Sequence, residues 1–223
     1  MQPESNSYPV RVRADLDPAL SRWQWLVKWI LAIPHYIVLF FLHFAVVVVW
    51  VIAFFAILFT GKYPRALFDF SLGVMRWRWR VAFYALVALG TDKYPPFSLH
   101  SKADYPADLE VDYPERLSRG LVLIKWWLLA IPHYLILLAL FTGGWRLLRL
   151  DPNEFVAYDL PPLFVILLII AVVALLFTGR YPKGLYDFLI GINRWAIRVR
   201  AYSGLLRDDY PPLRLDTGPR EAG

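Results

Sequence analysis

Apolar residues in this chain are gathered into long runs separated by short polar stretches. The first run covers residues 30–59 almost without a break. The second extends from 121 to 177 with one polar interruption at 142–162. A single helix over residues 23–59 would be about 55 Å long, against a hydrocarbon core of about 30 Å. Either the run folds back as a helical hairpin, or a short interfacial helix ends near Pro34 and one span follows. The interruption in the second run, with apolar segments 121–141 and 160–177 on its two sides, favours the hairpin. The turn would fall at Leu42-His43-Phe44, where no Gly or Pro stands.

Ahead of each run lies a segment of period two. Val10-Arg11-Val12-Arg13 and Asp108-Leu109-Glu110-Val111-Asp112 both alternate apolar with charged, which predicts short strands. Their charges are opposite in sign, and such cross-strand pairs contribute roughly 0.2–1 kcal/mol each. The two strands are therefore expected to pair with each other, on the cytoplasmic side. Ser21 follows as a helix N-cap, before Trp23, Trp25, Lys28 and Trp29. Ser118, Arg119, Lys125 and Trp126 repeat this mixture, which suits a membrane–water interface. After each apolar run, Gly61 and Gly179 read as residues that close a helix at positive φ, and Pro64 and Pro182 as the start of the next. The helices that follow, 65–89 and 183–206, are apolar but carry Arg and Trp at their middles. Amphipathic helices lying in the interface fit that pattern.

These correspondences amount to an internal duplication. Leu31-Ala32-Ile33-Pro34-His35-Tyr36 recurs as Leu129-Ala130-Ile131-Pro132-His133-Tyr134. Phe59-Thr60-Gly61-Lys62-Tyr63-Pro64 recurs as Phe177-Thr178-Gly179-Arg180-Tyr181-Pro182. Leu67-Phe68-Asp69-Phe70, Gly73, Arg76-Trp77 and Arg80-Val81 recur at 185–188, 191, 194–195 and 198–199. Tyr-Pro-Pro closes both copies, at Tyr94 and Tyr210. The fold class that follows is an all-α membrane protein of two tandem pseudo-symmetric repeats, 1–104 and 105–223. Each is expected to hold a short strand, a helical hairpin and an amphipathic interfacial helix, with the polar insertion 142–162 in the second.

Composition agrees. The chain is 58% hydrophobic with a mean hydropathy of +0.45, against about 45–50% apolar for soluble domains. It holds 0 cysteines, which removes disulfides and thiolate metal sites. The net charge of +6 comes mostly from Arg placed beside Trp and Tyr at the edges of apolar runs. That placement points to anionic lipid headgroups and away from nucleic acid. The first twenty residues lack an apolar core, so no cleaved signal peptide is expected. The positive-inside rule puts both termini in the cytoplasm and hairpins outward, giving a multi-pass protein.

The sharpest candidate site is Arg76 and Arg80, repeated as Arg194 and Arg198, four apart on one helical face. An anion between them would relieve their repulsion. With Trp77 and Trp195 they form a candidate lipid-headgroup or phosphate site; a snorkelling helix whose Arg pair with Asp is the competing reading. A second candidate polar set is His35, Tyr36 and Asp69 with His133, Tyr134 and Asp187. Two related histidines in a membrane bundle suggest haem ligands, but His43 and His100 have no counterparts to complete a set. No carboxylate stands at zinc spacing. No cofactor and no metal is expected. Gly73 and Gly191 read as points where another helix comes close. The Thr-Gly-Lys/Arg motif lacks the frame of a phosphate loop.

Taken together, Pro-His-Tyr, Phe-Thr-Gly-Lys/Arg-Tyr-Pro, Leu-Phe/Tyr-Asp-Phe, Arg-Trp and Tyr-Pro-Pro resemble a bacterial membrane family common in actinobacteria, catalogued as a domain of unknown function. The resemblance covers nearly the whole chain, the insertion being the main departure. It implies a bacterial inner-membrane protein linked to the cell envelope and supplies no catalytic residues. The functional expectation is a non-enzymatic accessory or scaffold subunit that binds anionic lipid or a larger membrane complex. A component of a lipid or small-molecule transporter is the first alternative. A lipid-modifying enzyme with His35 or His133 as base is the second.

Overall fold

The computed structural model describes residues 8–142 and 162–216. In chain order its elements are strand β1 (Val10–Ala14) and helices α1 (Trp25–Leu31), α2 (Ile33–Thr60) and α3 (Arg65–Ala85). Strand β2 (Ala107–Val111) follows, then α4 (Leu121–Ile124), which a π-helical stretch (Lys125–Leu129) continues. Helices α5 (Ile131–Thr142), α6 (Leu163–Thr178) and α7 (Lys183–Ser203) complete the chain.

β1 and β2 pair antiparallel, with Val12 opposite Leu109 and Arg11 opposite Glu110. That these two strands pair with each other is what their alternation predicts. Val12 and Leu109 are also equivalent residues of the two repeats, so the pseudo-two-fold axis runs through this central pair. Arg11 lies 3.5 Å from Glu110 and donates hydrogen bonds of 2.7 and 2.9 Å to Asp112. Arg13 does not meet the Asp108 opposite it. It donates instead to the carbonyls of Lys102 and Tyr105.

The molecule is layered. One face of α3 packs Leu72, Met75 and Trp79 with Val10, Val12 and Leu109 of the ribbon. Another face packs Trp77, Val81 and Tyr84 with Ala32, Tyr36 and Leu39 of the outer helices. α7 holds the equivalent place against β1 and against α5 and α6. In α3, 13 of 21 residues are buried, and in α7, 12 of 21. This corrects the expectation of amphipathic helices lying in an interface. Both are central helices, because Arg76, Arg80, Arg194 and Arg198 find partners inside the protein.

The hairpin expected of the first repeat is also corrected. α1 ends at Leu31, and α2 then runs unbroken through 28 residues, about 42 Å at ~1.5 Å per residue. With no Gly or Pro near Leu42-His43-Phe44, nothing interrupts its hydrogen-bond ladder. In the second repeat, α5 and α6 take the places of the two halves of this helix. They have 12 and 16 residues, together the 28 of α2. α5 faces the part of α7 around Trp195, whereas α6 packs on Leu189 and Ile192. Phe141 meets Phe164 at the junction, with ring centroids 4.6 Å apart. The second repeat therefore keeps the path of α2. Nearly all of the insertion, 143–161, lies outside the described residues.

Helix ends follow the sequence reading closely. Gly61 and Gly179 stand at φ +71° and +69° and donate to the carbonyls of Ile57 and Leu175. The preceding threonines bond back to Ala56 and Ala174 and accept from the N–H groups of Lys62 and Arg180. Thr-Gly-Lys/Arg is thus a helix stop. Ser21 departs from expectation. α1 starts at Trp25, and Ser21 gives its N–H to Asp92 at 2.6 Å. Gly73 and Gly191 do mark close approaches, but of extended chain and not of a helix. A Cβ at Gly73 would stand 2.8 Å from that of Leu99, and one at Gly191 3.3 Å from that of Leu215.

Two helical stretches, Ile33–Thr60 and Leu121–Phe141, are long and apolar enough to cross a membrane; α6 is apolar but shorter. The outer face of α2 is bare, with Phe41 67% and Val48 58% exposed.

Candidate functional site

The arginines singled out by the sequence serve the protein's own backbone. Arg76 lies 3.1 Å from Asp108 and donates to the carbonyls of Leu109 and Leu99 at 2.9 and 3.1 Å. Arg80 is fully buried and donates to the carbonyls of Ser98 and His100. Arg194 donates to Val12 and Asp216 carbonyls, and Arg198 pairs with the Asp216 carboxylate. These four staple the ribbon and the extended segments to α3 and α7. An anion of the kind the sequence suggested would have to displace bonds these arginines already make. Trp77 and Trp195 are buried beside them.

The histidines have a structural place too. Trp77 Nε1–H donates to His35 Nδ1 at 3.0 Å, and Trp195 Nε1–H to His133 Nδ1 at 3.1 Å. An accepting Nδ1 carries no proton, so each neutral ring carries it on Nε2. His35 stacks on Phe97 at 3.9 Å with Tyr94 beside it, and His133 lies against Tyr210. Pro-His-Tyr, Arg-Trp and Tyr-Pro-Pro thus meet in one aromatic box per repeat. Asp69 is outside it, exposed and paired with Arg65 at 3.1 Å. It stands eight residues before Trp77, about 12 Å along α3. Asp187 is half-buried at the equivalent place in α7. Tyr36 and Tyr134 turn toward the space between the repeats. The six polar residues thus form no single site.

A repeated ion pair escaped the sequence reading. Lys28, buried, lies 2.7 Å from Asp92, and buried Lys125 lies 2.6 Å from Asp208. Burial pulls the Lys28 pKa down, and the Asp92 hydrogen bond opposes this. The signal was present, since both aspartates stand two residues before Tyr-Pro-Pro. The second repeat has one more residue between this lysine and its Pro-His-Tyr. The π-helical stretch at Lys125–Leu129 absorbs it, so lysine and histidine both keep their partners.

What remains is a cleft between the repeats. One cavity of about 560 Å³ is lined by Arg78 and Trp79 of α3, Asn193 and Arg200 of α7, and Trp50 of α2. A second of about 410 Å³ shares Trp50, Arg78 and Arg200 and continues to Tyr36 and His43. Such volumes suit small ligands. Arg200 is half-buried and Arg78 exposed. Among the described residues no carboxylate lines either cavity. Burial, then the nearby Arg78, pulls the Arg200 pKa down to about 10. An arginine guanidinium stays charged at neutral pH. Arg200 Nε and Trp50 Nε1 have no hydrogen-bond partner among the described residues. Two converging cations in mostly apolar walls can hold one anionic group from two sides.

Neither arginine recurs in the other repeat. At the position equivalent to Arg78 stands Ala196, and at that of Arg200 stands Ala82. Both alanines line the cleft.

Fold and site together define a duplicated helical protein with an apolar outer layer and a cationic cleft on its pseudo-two-fold. A family model matches residues 22–98 and again 144–213, and the chain belongs to that family, DUF4389, described as a domain of unknown function. The double match agrees with the tandem duplication. No curated protein and no solved structure matches the chain.

Proposed function

We propose that this chain is a non-enzymatic membrane protein that holds an anionic lipid headgroup in the cleft between its repeats. In this reading it is an accessory or scaffold subunit in the membrane of a bacterial cell envelope. The Arg78–Arg200 pair carries the proposal: two cations, apolar walls and no lining carboxylate among the described residues. The bare apolar faces of α2 and α5 support membrane attachment. Against an enzyme stands the burial of both candidate bases, His35 and His133, in aromatic boxes, because a base must reach the proton it takes.

The test is native mass spectrometry of the full chain, extracted gently from its own membrane. A retained anionic lipid is expected, at least tenfold less abundant in Arg78→Gln/Arg200→Gln. A charge-matched control, Lys62→Gln/Lys183→Gln on exposed sites, retains it unchanged. Equal retention in both double variants overturns the reading. So does a stoichiometric protein partner with no specific lipid, which would leave an accessory subunit whose cleft is idle. A transport component is the second reading, favoured by a site lying where two pseudo-symmetric repeats meet. It requires that lipid or solute cross vesicles containing the protein faster than empty ones.

A further inference from the structure

We infer that the protein lies in one leaflet, with its outer helices along the membrane plane, and does not cross the bilayer. This rests on the membrane reading above and not on which lipid fills the cleft. It replaces the multi-pass arrangement expected from apolar length alone.

The argument turns on what stands at each level of α3. Residues 75–79 of that helix face two ways. Arg78 borders the cavities against Val46 and Trp50, near the middle of α2, and Met75 touches both the cavities and the ribbon. Arg76 and Trp79 bond the ribbon at the Leu109 and Arg13 carbonyls, beside its central pair. The middle of α2 and the middle of the ribbon are therefore level, on opposite sides of one helix. Were α2 upright with its centre at the bilayer midplane, the ribbon would lie at that depth too. The ribbon carries Arg11 and Glu110, whose side chains are 41% and 60% exposed. Exposed charges of both signs are costly there and almost never face lipid.

Laying the outer layer flat removes the conflict. Bare apolar side chains along α2, among them Phe41, Val48 and Phe55, then meet the acyl boundary, and the ribbon faces water. Amphipathic elements seated this way enter about 5–10 Å into the interface. α3 and α7 lie one helix layer higher, about 8–10 Å, which sets Arg78 and Arg200 at headgroup level. An apolar cavity of about 470 Å³, lined by Val47, Val51, Phe54, Phe55 and Trp126, adjoins the cleft through Trp50 and Tyr134. A lipid can thus raise its phosphate to the arginines while its chains stay in the leaflet.

The chain holds 0 cysteines, so single nitroxide labels can be placed without background. Phe41→Cys, Val48→Cys and Phe55→Cys stand on one exposed face of α2. In vesicles of phosphatidylglycerol and phosphatidylcholine, power saturation is expected to put all three at one depth, within about 5 Å, on one side. An upright helix would spread Phe41 and Phe55 by about 21 Å along the normal, with Val48 deepest and the ends reached by quencher from opposite sides. That pattern overturns the inference. Flotation of the same vesicles separates the failures: a protein that does not float sinks the membrane reading itself. Arg78→Gln/Arg200→Gln is expected to leave all three depths unchanged, so loss of lipid retention and loss of the flat seat are read independently.

Discussion

The two repeats share most of the contacts that hold the fold together and differ in the charges that line the cleft between them. Helix stop, aromatic box and lysine–aspartate pair occur twice with nearly the same bond lengths. The cleft takes its charge from residues that occur once, Arg78 and Arg200, whose counterpart alanines, Ala196 and Ala82, also line it. In a duplicated chain, recurrence marks the scaffold, since both copies must fold by the same bonds. A ligand on or near the axis meets both copies at once, so one charge from each suffices.

The ribbon shows how far the symmetry can be broken. Arg11 and Asp108 occupy equivalent positions of β1 and β2. The Arg11 side chain is 41% exposed, whereas that of Asp108 is 6% exposed and held by Arg76. Removing one partner of a buried pair strands the other charge, at about 3–5 kcal/mol. Arg76→Met is therefore expected to cost that much in unfolding followed by tryptophan fluorescence. Arg11→Met, which breaks only exposed pairs, should cost about 1 kcal/mol or less. Equal losses would mean that Asp108 is not stabilised through Arg76.

The glycines give a finer comparison. Gly73→Ala drives a methyl group to 2.8 Å from the Leu99 Cβ, and Gly191→Ala to 3.3 Å from that of Leu215. Overpacking costs about 1–3 kcal/mol, and a helical Gly→Ala change returns up to about 1 kcal/mol. The expected outcome is a clear loss of unfolding free energy at Gly73 and little or no change at Gly191. Reversal of that order would show that the Leu99 segment yields more easily than its counterpart.

How much could be read beforehand follows from the same division. That the two strands pair was legible from their alternation and opposite charges; the antiparallel register came from the structure. The helix stops were legible because Gly61 and Gly179 lie between Thr and a cation in both copies. α2 was misread as a hairpin because apolar length was weighed against bilayer thickness, whereas the missing breaker at Leu42-His43-Phe44 decided its course. Arg76, Arg80, Arg194 and Arg198 were read as facing an anion because a sequence shows charge but not the backbone carbonyls that answer it. Arg78 and Arg200 carry no signal of this kind, because each stands opposite an alanine in the other repeat.

The extra residue of the second repeat tests whether its scaffold is a copy in energy as well as in geometry. The π-helical stretch at Lys125–Leu129 lets Lys125 reach Asp208 and His133 reach Trp195, although the chain between them is one residue longer than in the first repeat. Deleting Trp127, whose side chain is exposed, should return this stretch to α-helix with both contacts kept. The expected change in unfolding free energy is small, about 1 kcal/mol, since the deletion removes one exposed hydrogen bond, from Trp127 Nε1–H to the Leu123 carbonyl. Deleting Trp29 is the matched control. No spare residue exists between Lys28 and His35, so each remaining position turns by about 100° and the pair with Asp92 or the bond from Trp77 must break. If the two deletions cost the same, the π-helical stretch is holding something other than register.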